Sequence, residues 1–410
     1  MQANVMTGHG AGGRRAARLL AGLGDPHDDL RVVHVAGTAG KGSVCAFAAS
    51  VLEAHGHVVG RFLSPHAHSV LERFAVAGAP VDEARLGDVL HDVRAVERAQ
   101  RDGPDGRAST FEVATVAAYE LFRRQGVDYA VVETGLGGLH DATNVVKRPD
   151  KLAVITALGL DHVDTLGHTL SEIAVQKAGI FPARGRAVAV SSGPVADAVM
   201  RVEAARRRCQ LEVTEPAELA SRVPTGLGLA LPGRHQRINA ALALEAVAVL
   251  AARDGWHLCP GKVAAGLAGA SLPGRFERRH FAGHPLVLDG AHNPMKLQAL
   301  IDAVSAEYPG RGLVWVLGLK PDKDLDEILR LVVPVAARVV ATEFGPEDGV
   351  TAVPAWKLST TAERLGLSSV DVEPCPGDAL ARAVALSSAS TPVMVTGSFH
   401  MVAAAGRRSD

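Results

Sequence analysis

Between a short hydrophobic run and a helix-period segment lies Gly37-Thr38-Ala39-Gly40-Lys41-Gly42-Ser43, a stretch suited to holding phosphate. Its glycines let backbone N–H groups converge on phosphate oxygens, and a helix N-terminus behind them adds partial positive charge. Lys41 supplies a cation for β- and γ-phosphates, and the Ser43 hydroxyl can reach a Mg2+ ion. The spacing departs from a strict Walker A loop, because Gly42 separates the lysine from the serine. A plain glycine turn with a solvated lysine is the bland alternative, and the strand–loop–helix setting argues against it.

Three more stretches carry polar residues just after a hydrophobic run, where open α/β sheets place ligands. Glu133 begins Glu133-Thr134-Gly135-Leu136-Gly137-Gly138-Leu139-His140-Asp141-Ala142-Thr143-Asn144. A carboxylate at such a strand end is a natural Mg2+ ligand, and equally a cap or an ion-pair partner. Gly159-Leu160-Asp161-His162-Val163-Asp164 offers a second acidic/histidine loop, read as a metal loop. Lys177 lies one turn into a helix opened by the Thr169…Glu172 capping box and by default is a solvated surface lysine. Leu288-Asp289-Gly290-Ala291-His292-Asn293-Pro294 ends another strand, with Asn293 as N-cap and Pro294 at the first helical position. A cap explains Asn293 and Pro294 and leaves Asp289 and His292 free to hold a nucleotide edge or a substrate carboxylate. Gly397-Ser398-Phe399-His400 is a weaker strand-end loop of the same kind.

The elements that must position these loops alternate β-branched runs with helix-period stretches, the pattern of an α/β fold. Strands are expected at 31–36, 129–133, 152–156 and 187–191, with helices over 44–52, from 169, over 195–208 and over 240–252. A Pro/Gly cluster spans 224–236, and the turn Leu272-Pro273-Gly274-Arg275-Phe276 marks a boundary. Beyond it the pattern restarts, with strands at 285–289, 313–317, 338–342 and 392–396 and helices at 294–307, 324–332, 354–365 and 377–387. The expected architecture is therefore an N-terminal P-loop ATPase-like domain with a parallel-rich central sheet (1–271) and a C-terminal Rossmann-like domain (272–410).

Composition narrows the function. The 410 residues carry 43 Lys+Arg against 44 Asp+Glu, so no overall field draws the chain to nucleic acid or an anionic membrane, and any anion site must be local. A hydrophobic content of 47% with 21% charged residues excludes a disordered chain. No apolar run spans a bilayer, the first twenty residues show no signal-peptide core, and Cys45, Cys209, Cys259 and Cys375 lack CxxC spacing. A cytoplasmic protein with reduced thiols, monomeric and acting on small molecules, is expected.

In this order the motifs resemble the Mur ligase superfamily, and within it the folylpolyglutamate synthase/dihydrofolate synthase family. Eleven stretches carry the resemblance: HVAGTAGKGS (34–43), SPH (64–66), ERFAVAG (72–78), TFEVAT (110–115), ETGLGG…DATNV (133–145), GLDHVDTLG…EIAVQKAGI (159–180), HQRINA (235–240), LPGRFE (272–277), LDGAHNP (288–294), DKD (322–324) and GSFH (397–400). The resemblance implies ATP-dependent ligation, in which an acceptor carboxylate becomes an acyl phosphate and the amine of an amino acid, expected to be L-glutamate, displaces phosphate. It implies that Gly37, Thr38, Gly40, Lys41, Gly42 and Ser43 hold the triphosphate, and that Asn239, Arg275 and Asp289 contact ATP. Ser64 and Glu133 would bind one Mg2+ and His162 a second. Lys177 matches a lysine that such ligases carbamylate. Phe111, Glu112, His140, Asp141 and Ala142 fall on the acceptor side, and His292 and Ser398 near the incoming amino acid.

The chain departs from the family's pattern at Ala39, usually Asn, and at Leu139 and His140, where Arg and Leu are usual. Its segment before the phosphate loop is short, and GHGAGGRRAARLL (8–20) stands in place of the family's Gly-Leu-Glu-Arg pattern. Two other readings stay open at this point: a paralogous ligase using a non-folate carboxylate, and a P-loop nucleotide-binding regulator or kinase without ligase activity.

Overall fold

A computed structural model describes residues 11–100, 105–224, 226–310, 312–345, 350–388 and 391–409. Residues 8–10 of the N-terminal segment, and half of the stretch inspected for a signal peptide, lie outside them. Among the described residues, no helix is long and apolar enough to cross a membrane.

The first lobe runs α1 (Ala11–Ala21), β1 (Val32–Ala36), α2 (Lys41–Ala54), β2 (Val59–Phe62), β3 (Phe74–Val76), β4 (Ala79–Pro80), α3 (Glu83–Ala99), α4 (Thr110–Arg124) and β5 (Tyr129–Glu133). It continues through β6 (Leu152–Ile155), α5 (Val163–Leu166), α6 (Leu170–Ala178), β7 (Arg186–Val190), α7 (Pro194–Arg207), β8 (Gln210–Thr214), α8 (Pro216–Arg222), α9 (Arg234–Asp254) and α10 (Pro260–Gly269). Its eight strands form one sheet in the order β4-β3-β2-β5-β1-β6-β7-β8, parallel except where β3 and β4 turn back at one edge.

Helices cover both faces, which is why β1 (VVHVA) and β5 (YAVVE) are buried along their whole length. Alternate side chains serve opposite cores. Val33, Val35, Tyr129 and Val131 pack with Phe47 and Leu52 of α2, Leu242 of α9 and Leu267 of α10. Val32, Ala130 and Val132 face Leu19 of α1 and Val116 and Phe122 of α4.

The second lobe comprises β9 (Glu277–Phe281), β10 (His284–Leu288), α11 (Pro294–Glu307), β11 (Leu313–Leu317), α12 (Leu325–Val332), β12 (Ala336–Ala341), α13 (Ala355–Arg364), β13 (Val370–Val372), α14 (Pro376–Leu386), β14 (Val393–Thr396) and α15 (Phe399–Gly406). Its sheet order is β13-β12-β11-β14-β10-β9, parallel except for β9. The α/β class is as the sequence implies.

Several boundaries differ from the expectation. The helix expected over 240–252 begins at Arg234, so the Pro/Gly cluster ends earlier and His235, Gln236 and Asn239 fall on the first two turns of α9. Lys177 sits in the last turn of α6 rather than one turn in, and it is buried. The 397–400 stretch is the start of α15, with the Ser398 hydroxyl accepting from His400 N–H (3.1 Å). Strands β2, β3, β4, β8, β9 and β13 were not expected. β8 (QLEVT) and β9 (ERRHF) lie at sheet edges and carry charges that do not read as a buried run.

Arg15 of α1 is the main polar tie between the N-terminal helix and the sheet layer. Its Nε and Nη2 donate to the two carboxylate oxygens of Glu112 on α4, both at 2.6 Å, with side chains 10% and 4% exposed. Glu112 also accepts from Ser109 N–H (3.0 Å) in the capping box of α4. Removing one partner strands a buried charge, so Arg15→Met is expected to lower unfolding stability by about 3 kcal/mol. Urea denaturation followed by circular dichroism checks this, and an unchanged midpoint would show the pair to be dispensable.

Candidate functional site

β1 lies between β5 and β6, so the loops leaving these three parallel strands open side by side at their C-terminal ends. The three separate motifs 37–43, 133–144 and 159–164 thereby become one site. The phosphate loop is braced from the β6 side. Thr38 and Ala39 N–H donate to Ala157 O (2.9 and 3.2 Å), the Thr38 hydroxyl donates to Gly159 O (2.9 Å), and the Thr156 hydroxyl donates to Ala39 O (2.7 Å). Thr38 thus serves the loop's shape through its side chain.

Two glycines are dictated by space as well as conformation. A Cβ on Gly37 (φ 153°) would lie 1.8 Å from Thr156 Oγ1, and one on Gly40 (φ 90°) would lie 2.4 Å from Asn239 Oδ1. Gly40 is the N-cap of α2 and no side chain caps that end, which leaves its first N–H groups for an anion.

Two clefts meet here. The larger, about 580 Å³, lies between Ala39, Gly40 and Ser43, Gln236 and Asn239 of α9, and Arg275, Asp289 and Lys296. The smaller, about 310 Å³, is lined by Lys41, Thr134–Gly137, Asp161, His162, Lys177 and Lys296. In a chain of net charge −1, three lysines in one small cleft make a strong local anion site. Burial, with Lys41 next to it, pulls Lys177 down to about 7, and its Nζ donates to Gly37 O (2.9 Å).

The second lobe completes the site. Arg275 is half-buried, with its guanidinium 4.2 Å over the Phe399 ring. Asp289 accepts from Phe276 N–H and Ala291 N–H, both at 2.8 Å, which fixes the turn carrying Arg275. His292 donates from Nδ1 to Gly290 O (2.7 Å), so its Nε2 is the acceptor for Lys296 Nζ (3.1 Å), a neutral tautomer consistent with burial depressing its pKa. Lys296 also reaches Asp161 across the lobe boundary (3.3 Å), and Asn293 Nδ2 donates to the same carboxylate oxygen (3.0 Å). Burial would push the Asp161 carboxyl up, but Lys296, with His162, His292 and Lys323, outweighs it and holds it below the usual range. Burial lowers Lys296 to about 8 against the opposing pull of Asp161.

The other expected residues divide. Glu133 is buried at the end of β5, and one of its oxygens accepts from Ser64 N–H (2.9 Å), so these two are together. His162 is half exposed at the mouth of the smaller cleft. Asp141 is buried and accepts from Leu136 N–H (2.8 Å), Thr143 N–H (3.0 Å) and the Thr143 hydroxyl (2.5 Å), which organises the 135–143 loop. Phe111 packs its ring against Gly135, and Ala142 is buried beside it in the same layer. His140 is exposed, and its carbonyl accepts from Gly13 N–H of α1 (3.2 Å). Glu112 is held by Arg15, and Ser398 caps α15.

Sequence reasoning missed Lys296, and named Asp161, His235 and Gln236 only as parts of motifs. Asp161 stood in plain view beside His162. Lys296, three residues past a helix cap, carried no signal of its own.

The residues fit a nucleotide and a hard divalent ion. The Gly37/Gly40 cradle would be filled by any Cβ, and Glu133 offers an oxygen donor next to it. Among the described residues no three His, Cys, Asp or Glu side chains gather closely enough to hold a metal by themselves. That suits Mg2+, which keeps several waters and shares phosphate oxygens rather than filling a protein cage.

Known proteins point the same way. The Mur ligase middle domain matches residues 90–222 and the Mur ligase, glutamate ligase domain matches residues 274–399. A dihydrofolate synthase/folylpolyglutamate synthase of Bacillus subtilis (strain 168) is 31% identical over 95% of this chain and 92% of its own length. The crystal structure of Mycobacterium tuberculosis folylpolyglutamate synthase complexed with ADP superposes with a TM-score of 0.86 at 31% identity, covering 97% of this chain and 94% of that one. The bifunctional folylpolyglutamate synthase/dihydrofolate synthase of Yersinia pestis, complexed with AMPPNP and a Mn ion, gives 0.82 at 27% identity, covering 99% and 94%.

Proposed function

Because the chain belongs to the Mur ligase superfamily, among the folylpolyglutamate and dihydrofolate synthases, we propose how its two lobes divide an ATP-dependent glutamate ligation. The reaction is ADP-forming amide synthesis, with ATP and a divalent ion as its requirements. The observation that carries the assignment of roles is the meeting of two clefts, one bounded by α9 and the second lobe and one by the three strand-end loops. The larger cleft takes the nucleoside, with Asn239, Gln236 and Arg275 around it. Lys41 and the open N-terminus of α2 take the phosphates. Glu133, Ser64 and His162 hold the divalent ions, which supply charge neutralisation at the phosphates. The acceptor carboxylate enters the smaller cleft, and His292, held neutral with Nε2 facing Lys296, orients the group next to the attacking amine.

The acceptor is a reduced folate or dihydropteroate, and the amino acid is L-glutamate. A non-folate acceptor is the second reading, favoured by Leu139 and His140. Leucine offers only apolar contact where an arginine would hydrogen-bond, which leaves a polar substrate edge short of about 1–3 kcal/mol per lost partner. The regulator reading is set aside, since it has no use for a second lobe that brings Arg275, His292 and Lys296 to the phosphate loop.

ADP release by purified protein tests this with dihydropteroate, tetrahydrofolate and unrelated aryl and alkyl carboxylates, each with and without glutamate. Glutamate-dependent release with tetrahydrofolate is expected, with dihydropteroate used less well. Release with an unrelated carboxylate and none with either pteridine would select the second reading.

A further inference from the structure

Lys296 is the one residue, among the described residues, that lines both clefts. It stands on the first turn of α11, where its N–H donates to the Asn293 side chain (2.9 Å), so its backbone position is fixed by the helix cap. It belongs to the second lobe and reaches His292 there (3.1 Å), yet its ammonium also crosses to Asp161 of the first. The neighbouring charges are Lys41 and Arg275 on one side and Asp161 on the other, with neutral His292 beside them. A half-buried cation with a single carboxylate partner, at the junction of the nucleotide cleft and the acceptor cleft, stands where the γ-phosphoryl group must cross. Asp161 shares its acceptor oxygen between Lys296 and Asn293, so its hold on the ammonium is divided.

We propose that Lys296 is a catalytic residue delivered by the second lobe, which leaves Asp161 to donate hydrogen bonds to the transferring phosphoryl group. The proposal rests on the ligase reading above. In the first step an oxygen of the acceptor carboxylate forms a bond to Pγ while the Pγ–O bond to the β-phosphate breaks, and that electron pair leaves with ADP. In the second, the free amine nitrogen of glutamate bonds to the acyl carbon, the C–O bond to phosphate breaks with its electron pair leaving on phosphate, and the nitrogen gives up a proton to solvent. Lys296 keeps its proton throughout and follows the phosphoryl oxygens from one partner to the other. Because the lysine comes from the second lobe, phosphoryl transfer becomes contingent on the lobes being together, which limits wasteful hydrolysis in an open enzyme.

The test separates nucleotide contact from turnover. A charge-assisted hydrogen bond to the γ-phosphate corresponds to a factor of about 10–100. K296M, close in shape and uncharged, is expected to weaken AMPPCP about tenfold by isothermal titration calorimetry and to leave ADP, which lacks the γ-group, within about twofold. It should lower kcat about 10–50-fold, and K296R should recover most of both losses. K296Q repeats the measurement if the methionine variant fails to fold. Equal losses for ADP and AMPPCP, or AMPPCP binding unchanged from the parent, would overturn the proposal. These binding readouts need no acceptor, so failure of the folate assignment would show separately, as absent turnover in the unaltered protein with intact AMPPCP discrimination.

Discussion

Lys41→Ala is expected to lower kcat by about 10²–10³-fold, the loss typical of removing a donor aimed at developing charge. Lys41 is the first residue of α2, behind a glycine N-cap that no side chain covers, and it lines the smaller cleft with Lys177 and Lys296. Phosphoryl transfer asks the protein for positioning and charge neutralisation more than for covalent chemistry, so a cation fixed at the phosphates acts mainly on the rate. Two neighbouring lysines remain after the substitution, and the open helix end is untouched. The Michaelis constant for ATP should therefore rise by far less than kcat falls. Lys41 is only half-buried, so the melting temperature should stay close to the parent's. Steady-state ADP release across ATP concentrations measures both parameters, and near-normal turnover would show that the phosphates sit elsewhere. The contrasting substitution is Gly40→Ala, where the new Cβ would meet Asn239 at 2.4 Å. It distorts the loop itself and should damage nucleotide binding as much as turnover.

How far the site could be read ahead of the fold depends on how local its rules are. A strand, a glycine turn and a helix follow one another within a few residues, so 37–43, 133–144, 159–164 and 289–294 were all visible as strand-end loops. Asn293 as a cap and Pro294 behind it are likewise local, and both stand as expected. What no local rule supplies is strand order. Only the placement of β1 between β5 and β6 makes neighbours of loops far apart in the chain. Lys177 shows the same gap, since a lysine in the last turn of a short helix reads as solvated until Gly37 is seen to pack over it. Glu112 errs the other way. Its place in TFEVAT suggested substrate, but α1, whose sequence is mostly small residues and arginine, reaches across and takes up the carboxylate with Arg15. Lys296 was invisible because its significance comes from Asp161 of the other lobe.

Lys177→Ala is expected to lower activity by about 100-fold, the upper range for losing a group that supports a bound metal, and a short carboxylate such as acetate should restore part of it. Burial disfavours the ammonium, so the lysine's pKa falls from 10.5 to about 7 and the neutral amine is gained as pH rises through that value. At pH 8 roughly nine in ten side chains are neutral and at pH 6 roughly one in ten, from the one-unit distance on either side. A neutral amine can add carbon dioxide, forming an N–C bond and releasing a proton, and the resulting carbamate is an anion. Beside Lys41 and Lys296 the carbamate sets an attracting charge where an ammonium would repel, which is the electrostatic reason to expect it. Enzyme depleted of carbon dioxide should therefore lose activity and regain it with bicarbonate, more completely at pH 8 than at pH 6. Rescue by acetate separates a need for negative charge from a need for packing, because acetate rebuilds no contact with Gly37 O. Activity indifferent to carbon dioxide, with no rescue of the alanine variant by any short carboxylate, would leave Lys177 as a plain ammonium that ties α6 to the phosphate loop.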